Sequence, residues 1–146
     1  MKFNLIYCLM IALSIGGCSQ PKNSKIEGAW KLVQYQTING DSVTNEFPGK
    51  RDINVTKIWS GNHVAFAGTD KCDTIVEPDW YGVGTYTLEG NKYVETTSIL
   101  FYKPWEGTTI KMKMEMKNDT LIVNYPVDDK GQMDKDWAWI DKYVRL

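Results

Sequence analysis

Apolar and polar residues alternate along most of the chain with a period of two. The clearest stretch is Ile110–Lys117. There Ile110, Met112, Met114 and Met116 take every second position, and Lys111, Lys113, Glu115 and Lys117 take the others. Successive side chains of a strand point to opposite faces, so one face of this segment is expected to meet an interior and the other water. A slip of one residue would bury three lysines and a glutamate, which fixes the pairing register. Similar strand patterns predict Gly28–Thr37, Asp52–Trp59, His63–Gly68, Gly82–Leu88, Lys92–Phe101, Thr108–Lys117, Thr120–Tyr125 and Trp137–Leu146. Turn signals separate many of them: Asn39-Gly40, Ser60-Gly61-Asn62, Glu89-Gly90-Asn91 and Asn118-Asp119. Past the first twenty residues no window of a dozen carries a helical period. The reading is all-β, with about eight antiparallel strands. An up-and-down barrel suits such a meander because closure removes the exposed edges, and a two-sheet sandwich is the alternative.

The first residues follow another rule. After Lys2, Leu5–Ile15 is a mostly apolar run of a length that suits a signal peptide rather than a membrane span. Ile15-Gly16-Gly17-Cys18 then resembles the cleavage site of bacterial lipoproteins, an aliphatic residue and two small ones before a cysteine. The resemblance implies a signal peptide over 1–17, lipidation at Cys18, and a protein held in the cell envelope, by expectation at the outer membrane. The alternative is an ordinary secretory signal with a chance cysteine. The polar segment up to residue 25 reads as a tether, and 26–146 as one domain. On this reading Cys8 leaves with the signal and Cys18 carries lipid. Cys72 then stands alone, so stability is expected from the core rather than from a disulfide.

Gly28-Ala29-Trp30 opens the domain and Arg145 nearly closes it. This resembles lipocalin-like barrels, which begin with Gly-x-Trp and place an Arg of the last strand across that Trp. The segments Trp30-Lys31-Leu32-Val33, Gly61–Phe66 and Gly84–Glu95 also look like a group of small, mostly uncharacterised lipocalin-like lipoproteins, over about residues 26–146. The resemblance implies a calycin-type barrel, with Arg145 resting on Trp30. The long insertion of full-size lipocalins is missing, so the pocket is either small or filled.

Composition narrows the chemistry. With 17 basic and 18 acidic side chains the chain has no basic field for nucleic acid. His63, the only histidine, shows no partner or nucleophile in sequence and reads as structural; in some related barrels a histidine holds haem, and here that role would fall to it by default. Met112, Met114 and Met116 form Met-x-Met-x-Met, a Cu(I)-friendly pattern, but methionines along one strand face more often form an adaptable inner wall. Cys72 lies beside Lys71, with Asp70 and Asp73 near on either side, and the opposite effects of the lysine and the aspartates argue against a strong nucleophile. Asp128, Asp129, Asp134, Asp136 and Asp141 crowd the last loop and strand without calcium-loop spacing and read mainly as solvated. Tyr93, Glu95, Thr97 and Ile99 share one face of their strand, which the barrel reading turns inward. Trp59, Trp80, Tyr81, Tyr102, Trp105 and Trp137 fall at strand ends or loops and either form a contact rim or cap the barrel. Ser42, Thr74 and Thr120 follow aspartate and precede an aliphatic residue, a short pattern resembling some envelope O-glycosylation sites.

The leading expectation is a non-catalytic, lipid-anchored barrel without a cofactor. It binds a small apolar or amphipathic ligand through Trp30, Tyr86, Tyr93, Glu95, Met112, Met114, Met116 and Arg145. The alternative is a protein-interaction module with a filled barrel, such as an inhibitor of an envelope hydrolase or a subunit of an envelope complex.

Overall fold

In the computed structural model, residues 25–72, 75–76 and 79–146 are described. Cys18, residues 1–17, Thr74 and the Cys72 side chain lie outside them, as do the expectations attached to each.

The strands are β1 (Gly28–Asn39), β2 (Ser42–Phe47), β3 (Arg51–Ser60), β4 (His63–Cys72), β5 (Ile75–Val76), β6 (Trp80–Glu89), β7 (Lys92–Leu100), β8 (Thr109–Lys117), β9 (Thr120–Tyr125) and β10 (Ala138–Arg145). Each pairs antiparallel with its neighbours in the order β10-β9-β8-β7-β6-β4-β3-β1, and β1 pairs β10 to close the ring. Eight strands thus form an up-and-down barrel, and the sandwich alternative is excluded. Tight turns stand where the sequence places them: Gly40, Gly61, Gly90 and Asn118 all have positive φ.

Two short strands are not among the expected eight. β2 lies on the outer half of β1, with Asn39 facing Ser42 and Thr37 facing Thr44. The inner half of β1 pairs β3 instead, from Gly28–Trp59 to Lys31–Thr56. β2 therefore continues the wall where β3 has left it. Its sequence, SVTNEF, has little apolar alternation because no residue of it is fully buried. β5 pairs only the end of β4.

Two β-bulges reset which residues face inward. On β1 the register skips Val33, so Leu32 and Tyr35 are both buried. On β7 it skips Ser98, with Gly84 facing Thr97 and Val83 facing Ile99. Tyr93, Glu95 and Thr97 point inward as expected. Ile99 does not; it is 50% exposed, and Leu100 takes the inward place. A bulged residue leaves the ladder and inverts the alternation beyond it.

One end of the barrel is sealed. Trp30, Trp59, Val64, Tyr86, Tyr93, Met114, Leu121 and Tyr143 pack there. Trp30 meets Trp59 edge-on at 6.5 Å, Trp59 meets Tyr143 at 5.9 Å, and Tyr86 stacks on Tyr93 at 5.2 Å. Trp59, left open between a contact rim and a cap, is core in the sealed end at 1% exposure. The chain enters beneath this floor. Trp30 Nε1 donates to the Ile26 carbonyl at 2.8 Å. Arg145 lies across the outer face of Trp30, 4.4 Å from the ring centroid, and donates to the carbonyls of Glu27 and Lys25. Gly28 completes the seal. Its φ is +119°, and a Cβ there would stand 2.7 Å from Arg145 Nη1. The Gly-x-Trp and Arg signature is therefore one packing unit.

Trp30→Ala is expected to cost about 3–5 kcal/mol in urea unfolding, the usual range for removing a large buried aromatic ring. Gly28→Ala should cost about 1–3 kcal/mol through backbone strain alone, and the same unfolding curves would measure it.

Candidate functional site

The opposite end is open, and a cavity of about 430 Å³ descends from it to the middle of the barrel. Three levels follow from strand position. Nearest the mouth are Tyr35, Trp80, Leu100, Phe101, Tyr102, Trp105, Ile110 and Trp139. Below them lie Val55, Phe66, Met112, Val123 and Thr97, with three charged groups, Lys57, Glu95 and Asp141. The sealed aromatic floor is the third level.

The charged level is tied together by hydrogen bonds. Lys57 Nζ donates to Glu95 Oε2 at 2.8 Å and lies 5.3 Å from the ring centroids of both Trp59 and Phe66. Tyr93 Oη donates to the same Oε2 at 2.7 Å and accepts from Trp59 Nε1 at 2.9 Å. Across the barrel, Asp141 accepts from Tyr143 Oη at 2.8 Å and from Tyr125 Oη at 3.2 Å. Lys57, Glu95 and Asp141 are 8%, 3% and 5% exposed. Burial pushes the Asp141 carboxyl up to about 6, against the opposing pull of the Tyr143 hydroxyl and the Lys57 charge. The hydroxyls of Tyr93, Tyr125 and Tyr143 are raised well above the ordinary range, first by burial and then by the neighbouring carboxylates.

The space has an identifiable origin. Gly82 faces Phe66 across the β4–β6 ladder, and a Cβ on it would stand 2.5 Å from the Phe66 ring. The missing side chain lets that ring lie against the wall instead of across the lumen. The connection after β7 partly covers the mouth. A single 3₁₀ turn, Lys103–Trp105, carries Trp105 past the ends of β8 and β9 to Trp137 and Trp139 on the β10 side, at centroid distances of 6.0 Å each. Trp80 stacks on Phe101 at 6.2 Å and meets Tyr35 edge-on at 5.7 Å. Arg51 is held at the rim by both oxygens of the buried Asp70.

Of the eight residues expected to bind ligand, Glu95 and Met112 line the cavity. Trp30, Tyr86, Tyr93 and Met114 are buried in the floor beneath it. Arg145 lies outside the floor, committed to Trp30 and two carbonyls. Met116 is 43% exposed. Its strand has passed the floor by then, so an inward parity no longer faces an interior. The three methionines consequently do not share one wall.

Sequence reasoning missed Lys57 and Asp141. Lys57 occupies the inward series Ile53, Val55, Lys57, Trp59, where a lysine breaks an apolar face. Asp141 sits between Trp139 and Tyr143 in an alternating series, a signal hidden by grouping it with the loop aspartates. Those loop residues behave differently. Asp128 accepts from the backbone amides of Lys130 and Gln132, and Asp134 from that of Asp136. Among the described residues no three His, Cys, Asp or Glu side chains converge. His63 opens β4 at the sealed end, exposed and away from the cavity.

No protein-family model matches the sequence, and no curated protein matches it.

A carboxyl whose pKa is raised on folding holds its proton in the native state at a pH where the unfolded chain has lost it. Its contribution to stability is therefore full below about 3.8 and is lost as the pH rises through about 6. Asp141→Asn should remove this slope. Urea midpoints for the two proteins from acid to neutral pH should converge at the acid end, with the variant the more stable near neutrality.

Proposed function

We propose that the protein is a non-catalytic binder of a small amphipathic molecule, which enters the barrel polar end first. The carrying observation is the cavity of about 430 Å³, aromatic at its mouth and charged at its base. That volume lies in the range of small-molecule sites, as does the pattern of an apolar wall with a few convergent polar groups. The acids at the base are bound to hydroxyls and a lysine, an arrangement suited to orienting a guest. We further propose, from the signal-like N-terminus, that an acylated Cys18 holds the protein in the cell envelope, by expectation at the outer membrane. The chain joins the barrel under its floor, at Lys25 and Ile26, so an anchor just upstream would set the mouth away from the bilayer. The likeness to lipocalin-like lipoproteins in the Gly28, Trp30 and Arg145 unit supports the same reading.

A second reading rests on the outer side of the rim. Tyr81, Tyr102 and Trp137 are 46%, 50% and 46% exposed. Such rings would suit contact with an envelope protein while the cavity served only to seat part of the partner.

Native mass spectrometry of the domain from Ser19 onward, exported in its own host cells and purified without detergent, separates the two. A reproducible added mass that disappears on unfolding is expected, and Gly82→Ala, which drives the Phe66 ring toward the lumen, should reduce its occupancy. A bare polypeptide mass together with a co-purifying protein would favour the rim.

A further inference from the structure

We propose that the guest is an organic cation, an amine carrying an aromatic or alkyl body, seated with its charge between Asp141 and Glu95 and its body among the rings of the mouth. This rests on reading the cavity as a ligand site and names the class of ligand.

The argument is a balance of charge inside a closed wall. Among the described residues three charged groups line the cavity, one cation and two anions. Lys57 is already engaged, since its ammonium touches Glu95 and lies against two ring faces. Among the described residues Asp141 accepts hydrogen bonds only from neutral hydroxyls. The groups around it do not change that. β1 places Tyr35 directly opposite, β9 supplies Val123 and Tyr125, β10 itself supplies Tyr143, and β7 brings Glu95. The cation acting on it is Lys57 of β3, in contact with Glu95; Arg51, at the rim, grips Asp70. Both donors to Glu95 meet Oε2, so its Oε1 takes no hydrogen bond among the described residues, although the side chain is only 4% exposed and lines the cavity. The lumen thus carries an excess negative charge with acceptor capacity left over. An anionic guest would add to that charge, and a neutral one would leave it as it is. A cation offsets it and supplies the missing donors. Ring faces at the mouth are themselves suited to alkylammonium groups. A bare metal ion lacks the body that this apolar upper half would contain.

Isothermal titration with 4-phenylbutylamine, 4-phenylbutan-1-ol and 4-phenylbutyrate tests the class at constant body. The amine is expected to bind about tenfold or more tightly than the alcohol, with the carboxylate weakest. Asp141→Asn should erase that preference while leaving alcohol binding in place. The wild type offers a readout independent of any variant: amine affinity should rise as the pH passes through about 6, and alcohol affinity should not. Equal binding of alcohol and amine overturns the cationic assignment and leaves the cavity as a ligand site. Preference for the carboxylate overturns it too. No binding of any probe at millimolar concentration overturns both the assignment and the ligand reading beneath it.

Discussion

The seal beneath Trp30 is the constraint from which the interior follows. A barrel of eight strands has two ends, and an indole ring can close only one of them. Trp30 does so because Arg145 covers its outer face and the entering chain caps its nitrogen. Gly28 gives the guanidinium its place. Once this end is packed with aromatic rings, the remaining lumen is a dead-end cavity with graded polarity rather than a channel. The β1–β10 pairing that closes the wall also brings Trp30 opposite Arg145 in register, so closing the barrel and sealing its end are the same event.

Above that seal the barrel departs from what stability alone would favour. A lysine and two carboxylates sit at the middle level, where apolar side chains of similar volume would pack at lower cost in desolvation. The cost is contained by mutual contact. One oxygen of Glu95 serves both Lys57 and Tyr93, and Tyr93 is fixed in turn by Trp59. Buried networks of this kind hold their members in one geometry because any displacement leaves a partner unsatisfied. The base of the cavity is accordingly rigid, and the Trp59 link joins it to the floor.

The architecture was largely legible because the Ile110–Lys117 alternation and the Asn-Gly and Gly-Asn turns are local signals. The seal was legible through the resemblance at Gly28, Trp30 and Arg145. The site was much less so. Parity counting placed Tyr93, Glu95 and Thr97 inward but failed at Ile99, since a bulge is a relation between two strands and leaves no mark in either. Tyr86 and Met114 face the interior, yet depth along the barrel decides whether such a residue meets a cavity or a packed floor. That depth depends on strand tilt and stagger. Lys57 and Asp141 were legible in principle. Each interrupts an apolar inward series, and a charge in such a series marks a buried site more strongly than another aromatic does.

Trp105 bears on a different property of the proposed ligand site, the time a guest would remain. It spans the mouth through ring contacts to Trp137 and Trp139, and each such contact contributes about 0.5–1.5 kcal/mol beyond its burial. For a guest of the proposed kind, those contacts would be of the same sort that its aromatic or alkyl body makes with the same rings. Release would then exchange one set of ring contacts for another, without breaking the ladder that holds the wall. On that proposal a three-residue turn at the rim would govern the residence time, while the charged level below would govern the choice of guest.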